Sequence, residues 1–177
     1  MPTISVFDIF KIGVGPSSSH TVGPMKAARQ FGLQLAKNAQ PVDRIRVTLH
    51  GSLAYTGKGH GTDSAVILGL LGCEPETIDP DEVEGMLRQV HAECSLTIPQ
   101  VGVVAFDPET DLLFDLEEEL PRHTNGMRFS DSGKPSNTAV VGQVITHWPT
   151  RLGTDFANAS FEKPKIKTAA PLRPSGV

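Results

Sequence analysis

Ile45, Val47, Leu49 and Leu53 alternate with Arg46, Thr48, His50 and Ser52, the clearest period of two in the chain. Side chains of a strand point to opposite faces in turn, so this pattern specifies a strand with one buried and one polar face. Such a strand must be covered on one side only. Gly51 within it marks a bulge or a close backbone approach. The cover is supplied by helical segments. From Pro24, Ala28, Phe31 and Leu35 recur at helical spacing with Lys26, Arg29, Gln30 and Lys37 opposite, and Asn38 with Pro41 ends the run. Residues 64–71 are apolar on nearly all sides and predict a buried helix ending at Gly72. Asp79 as N-cap and Pro80 at the first helical position open a third helix, with Val83, Met86, Leu87 and Val90 as its apolar stripe. The acidic Asp81 and Glu82 in its first turn suit the helix dipole.

Two apolar runs, Val101 to Phe106 and Leu112 to Leu116, flank Asp107-Pro108-Glu109-Thr110 and predict a hairpin. Glu117 to Glu119 reads as a solvated loop, Met127 to Phe129 as a further strand, and Ser5 to Phe10 as a short helix or turn tied to the core. Prolines 149, 164, 171 and 174 leave no regular pattern near the end. The prediction is an α+β fold, an antiparallel or mixed sheet with helices packed on one face. One domain occupies 1–148, its stretch from 131 the least patterned, and an irregular tail occupies 149–177.

Composition narrows the function classes. Sixteen basic against twenty acidic residues, a net charge of −4, give no electrostatic footprint for nucleic acid. No stretch approaches the roughly 18 consecutive apolar residues of a membrane span, and the start lacks a signal core. The expectation is a cytoplasmic protein without nucleic-acid or membrane partners. Two cysteines, Cys73 and Cys94, make neither a disulfide framework nor a zinc site, and both are predicted as buried or partly buried thiols.

Three segments carry candidate chemistry. In Gly15-Pro16-Ser17-Ser18-Ser19-His20-Thr21, hydroxyls and an imidazole crowd the start of a helix. Hydroxyls and unpaired amides there point partial positive charge outward, which suits a small carboxylate. One serine suffices as a cap, so the run reads as a binding cradle. Gly57-Lys58-Gly59-His60-Gly61-Thr62 predicts a flexible loop that brings His60 to a ligand, and a histidine suits proton transfer near neutrality. It lacks the spacing of a nucleotide-binding P-loop. His123-Thr124-Asn125-Gly126 reads as a turn. His50, His91 and His147 have no supporting context and are assigned no function.

Taken together these segments resemble the N-terminal or β part of the iron–sulfur L-serine dehydratases, also called L-serine ammonia-lyases. The resemblance rests on Ser5-Val6-Phe7-Asp8-Ile9-Phe10-Lys11-Ile12-Gly13-Val14-Gly15-Pro16-Ser17-Ser18-Ser19-His20-Thr21, on Leu49 to Leu53 with Gly57 to Asp63, and on Pro121, His123 and Asn125 to Phe129. It covers roughly residues 4–131. It implies deamination of L-serine to pyruvate and ammonia with a [4Fe-4S] cluster and without pyridoxal phosphate. It also implies a fold similar to the allosteric substrate-binding domain of some phosphoglycerate dehydrogenases. By position, His60 resembles the family's α-proton acceptor. Ser17, Ser18, Ser19, His20 and Thr21 would bind substrate or hold the site, and His123 and Asn125 match a segment beside this loop or beside a regulatory serine site.

The family's cluster ligands belong to a separate α part, on the same chain or on a partner. A cluster of this kind takes three cysteines or more, so none of its ligands is expected in this chain. Alone, the chain is expected to be inactive. After Asp131 it departs from the family's paired tyrosines and glycine triplet, Tyr55 being the only tyrosine. The partners implied are L-serine, the α part and, to cover an exposed sheet edge, a second copy in a homodimer. The alternative is a stand-alone serine-binding regulatory module without catalysis.

Overall fold

The computed structural model describes residues 15, 17–38, 41–118, 120 and 124–132, and the backbone of 141–145 and 160–162. A π-helical turn, Ser18–Val22, runs into helix α1, Gly23–Asn38. Strand β1, Arg44–Gly51, is followed by the short helix α2, Ser52–Thr56, a 3-10 turn at Lys58–His60, and α3, Thr62–Leu70. Then come α4, Pro80–Glu93, strands β2, Ser95–Ile98, and β3, Gly102–Ala105, the helical turn α5, Pro108–Asp111, and β4, Leu112–Asp115. Strands β5, Asn125–Ser132, β6, Val141–Ile145, and β7, Ser160–Glu162, complete the order, the last of them inside 149–177.

The sheet is mixed, in the order β2-β3-β1-β5-β6-β7, with β4 also alongside β1. β1 pairs antiparallel with β5 from Arg44 opposite Ser132 to Gly51 opposite Asn125. On its other edge it runs parallel to β4, from Val47 opposite Leu112 to His50 opposite Asp115. Ile45, Val47 and Leu49 are fully buried against the helices, as their alternation requires. Phe31 of α1 stacks on Phe129 of β5 at 4.7 Å between centroids, a pairing worth about 0.5–1.5 kcal/mol beyond area burial. Met25, Ala65 and Leu68 form a second cluster, to which α4 adds Val83 and Met86. Among the described residues no helix is long and apolar enough to cross a membrane.

The three long helices lie where periodicity predicts, and Asp79 caps α4 by accepting from Asp81 N–H at 3.0 Å. The predicted hairpin does not form. β3 instead pairs antiparallel with β2, a strand absent from the sequence reading, while β4 lies parallel to β1. The cause is α5. Asp107 accepts from Glu109 N–H at 3.0 Å, and Asp111 accepts from Asp107 N–H at 2.8 Å. Asp111 is fully buried and held by Arg44 Nε at 2.8 and 3.0 Å. This closed turn carries the chain onward along β1 instead of reversing it.

Leu53 leaves the strand pattern to which its alternation assigns it and sits buried in α2. The change of direction occurs at Gly51, whose φ of +58° ends the strand. His50, on the polar face of the alternation, is also fully buried. Asp115 accepts from Glu117 and Glu118 N–H groups at 2.9 and 3.1 Å, which turns the chain over the sheet end and covers the imidazole. Cys94 is exposed, contrary to expectation, at the left-handed residue that ends α4; Cys73 is half-buried. The segment from Ser5 to Phe10 lies outside the described residues.

Candidate functional site

The cradle is built as a helix start, but of an unusual kind. Ser17 O accepts from Thr21 N–H at 2.9 Å and from Val22 N–H at 3.3 Å, and Ser17 Oγ accepts from His20 N–H at 3.3 Å. The wide turn exposes Ser18 and Ser19 and turns Thr21 inward, to 2% exposure. Gly15, at φ +99°, passes so close to the Thr21 side chain that a Cβ would collide with it.

Both ring nitrogens of His20 are engaged. Nδ1 lies 2.9 Å from Ser19 Oγ and Nε2 lies 3.0 Å from Ser52 Oγ. Ser52 is presented by the corner at Gly51. Its N–H donates to Thr124 O at 2.7 Å, and that carbonyl lies where a Cβ on Gly51 would be. Asn125, opposite Gly51 on β5, is buried at the same corner. His123 lies outside the described residues.

The glycine loop is not a flexible span but a hydrogen-bonded turn. Gly57 O accepts from His60 N–H and Thr62 N–H, each at 3.0 Å. Its base is fixed at β4, because Tyr55 O–H donates to Leu116 O at 2.9 Å and Lys58 Nζ sits 5.3 Å from the Phe114 ring centroid. His60 Nδ1–H donates to Thr56 O at 2.9 Å. That bond fixes the neutral tautomer and leaves Nε2 with a lone pair, which has no hydrogen-bond partner among the described residues. The His60 ring lies 4.9 Å from the His20 ring, tilted by 36°.

Two imidazoles at this separation disfavour a second positive charge. Burial first, and His60 second, lower the pKa of His20 below its ordinary value, opposed by the hydrogen bond at Ser52. The arrangement offers one free imidazole nitrogen and exposed serine hydroxyls around a second, hydrogen-bonded imidazole. It can accept a proton from a small polar ligand and donate hydrogen bonds to it.

The structure thus brings Ser17, Ser18, Ser19, His20, Thr21 and His60 to one place, with Asn125 behind the corner that carries Ser52. Ser52 and Thr62 were not singled out from the sequence. Their signal was position, a hydroxyl directly after Gly51 and another at the end of the glycine loop. A separate group, His50, Asp115 and Glu118, has ligand atoms within 4.8 Å of one another. Arg128 occupies both Glu118 oxygens at 3.0 and 2.9 Å, and His50 Nδ1–H donates to Glu118 O at 3.2 Å. This group closes the sheet end through the Arg128–Glu118 ion pair and the His50 hydrogen bond.

Residues 5–144 match the family described as serine dehydratase beta chain, past Asp131, where the sequence reading ends the resemblance. The L-serine dehydratase of Mycobacterium bovis is 49% identical over 135 residues, covering 74% of this chain and 29% of that protein. L-serine dehydratase 1 of Escherichia coli K12 is 47% identical over 128 residues, with 71% and 28% covered. L-serine dehydratase 2 of the same organism is 46% identical over 149 residues, with 83% and 31% covered. The chain spans about three tenths of the length of these curated relatives.

Proposed function

This chain belongs to the serine dehydratase β-chain family, and on that premise we propose that it supplies the proton-handling and substrate-holding wall of an L-serine dehydratase site. The observation that carries the reading is the His20–His60 pair. His60 presents a lone pair at Nε2 with its tautomer set by Thr56 O, beside an imidazole fixed by Ser19 and Ser52.

Deamination of L-serine requires removal of a weakly acidic α-proton together with loss of the β-hydroxyl. In this reading His60 Nε2 takes the α-proton, and the electrons of that C–H bond form the carbon–carbon double bond as the β-hydroxyl leaves, a departure that a Lewis acid held by the α part would assist. The resulting aminoacrylate tautomerises to an imine, and water converts that to pyruvate and ammonia. Ser18 and Ser19 hold the substrate carboxylate, and His20 keeps the serine hydroxyls oriented.

The chain's residues do not fit an iron–sulfur cluster. Cys73 is half-buried against Met86, Cys94 is exposed beyond the end of α4, and the sequence has no third cysteine. The α part would supply those ligands. The two unpaired thiols, Cys73 and Cys94, suit a reducing compartment and support a cytoplasmic setting for the reaction.

The test is pyruvate formation from L-serine by this chain assembled with a cluster-bearing α part. His60→Ala is expected to lower turnover by about 100-fold or more. Normal turnover in that variant would eliminate His60 as the base. Calorimetry on the chain without a partner separates the alternative, since tight L-serine binding there favours a stand-alone sensing module.

A further inference from the structure

We infer that Thr21 and Thr62 form a crossed clasp that sets the separation of His20 and His60, which makes Thr62 a positioning residue of the site. Thr21 Oγ1–H donates to His60 O at 2.9 Å, and Thr62 Oγ1–H donates to His20 O at 2.6 Å. Each hydroxyl thus holds the backbone of the histidine on the opposite segment. The two segments are about forty residues apart in sequence, and these bonds tie them at the points from which the imidazoles project.

Several features make the clasp firm. Thr21 is 2% exposed and Thr62 fully buried, so neither hydroxyl can exchange its partner for bulk water. A β-branched side chain has few χ1 choices, so little rotamer freedom is lost in aiming it. Both backbones are anchored separately, Thr21 N–H on Ser17 O at 2.9 Å and Thr62 N–H on Gly57 O at 3.0 Å. Gly15 leaves room for the Thr21 side chain and packs directly on it. A serine at either position would keep the hydroxyl and lose the packed methyl. A valine would keep the shape and lose the donor, leaving a histidine carbonyl buried without it.

The clasp matters because the rings it spaces interact. Burial foremost, and His60 as the titratable neighbour second, disfavour protonation of His20, and 4.9 Å between centroids is close enough for a small displacement to change that coupling. Its meaning for catalysis rests on the reading of His60 as the base, but its geometry does not.

The experiment follows the imidazole nitrogens of the full chain by heteronuclear NMR through a pH titration. Thr62→Val is expected to move the midpoint of His20 upward, toward the ordinary histidine value, by more than the error of the titration. Thr62→Ser is expected to titrate like the parent chain. Thr21→Val, which leaves the Thr62 bond in place, gives the same direction of shift if Thr62→Val does not fold. In the assembly with the α part, Thr62→Val is expected to lower kcat about tenfold with KM for L-serine little changed, and Thr62→Ser to recover most of the loss. Parent-like titration in a folded valine variant overturns the clasp, whatever the activity. Shifted titration with unchanged kcat leaves the clasp standing and sinks the catalytic reading of His60.

Discussion

An imidazole that is partly buried beside a second imidazole binds its proton less readily than one in water, and His20 is such a group. In the unfolded chain it titrates at about 6.5. The folded chain therefore binds fewer protons between that value and the lowered one, and in that interval stability falls as pH falls. Above the interval the effect is absent. Asp115 and Glu118 are also held below their ordinary values, Asp115 mainly by the N–H groups of Glu118 and Glu117 and Glu118 mainly by Arg128. Their contribution is present above the ordinary carboxylate range and is lost as pH falls through those lowered values, on the acid side of the histidine window. The expected outcome is a melting temperature that drops between pH 7.5 and 5.5, with His20→Asn showing a shallower drop; equal slopes in calorimetry would dismiss His20 as the source. His20 and His60 were legible because hydroxyls and glycines crowd them in the sequence. Ser52 and Thr62 were not, since a hydroxyl declares a role only when its distant acceptor is known. His50 was misplaced for a related reason: strand alternation assigns a face but not what folds over the end of it.

Local signals wrote the helices, and long-range ones wrote the turns. Asp79-Pro80 starts α4 through a bond two residues long, so its position was readable. The stretch Asp107 to Asp111 looks like a hairpin turn until Arg44, from β1, reaches across to neutralise buried Asp111. Gly51 was readable as a close approach, though not what it approaches. Its φ of +58° and the carbonyl of Thr124 leave no space for a Cβ. Gly51→Ala is expected to cost about 2–4 kcal/mol, combining left-handed strain with displacement of β5. Gly85 is the opposite case, exposed within α4 with open space where a Cβ would go. Gly85→Ala is expected to add about 0.5–1 kcal/mol of stability from helix propensity. Urea denaturation of the two variants measures both, and a shift of the same sign would show that one of these backbone readings is wrong.

At the scale of the whole chain, the helices bury one face of the mixed sheet, and the catalytic candidates gather at one end of it, where β1 turns into α2. The chain spans about three tenths of the length of the relatives it matches, and in the proposed function the site it builds is one wall, completed by the α part. The thiols point the same way. Cys73 lies against Met86 of α4, its Sγ 3.8 Å from Met86 Sδ, and Cys94 follows the last residue of that helix. At ~1.5 Å per residue the helix separates Met86 from Cys94 by roughly 12 Å. Burial and the nearby Glu82 also raise the pKa of Cys73, keeping it a thiol when a metal ligand must be a thiolate. Two thiols so placed cannot supply the ligands of one iron–sulfur centre. Anaerobic treatment of the isolated chain with iron and sulfide is therefore expected to leave no stoichiometric cluster, by iron analysis and by visible absorption. In the same samples, a thiol alkylating reagent should modify Cys94 well before Cys73. A stable cluster on the isolated chain would mean that the metal is held here after all, and the division of labour between the two parts would have to be redrawn.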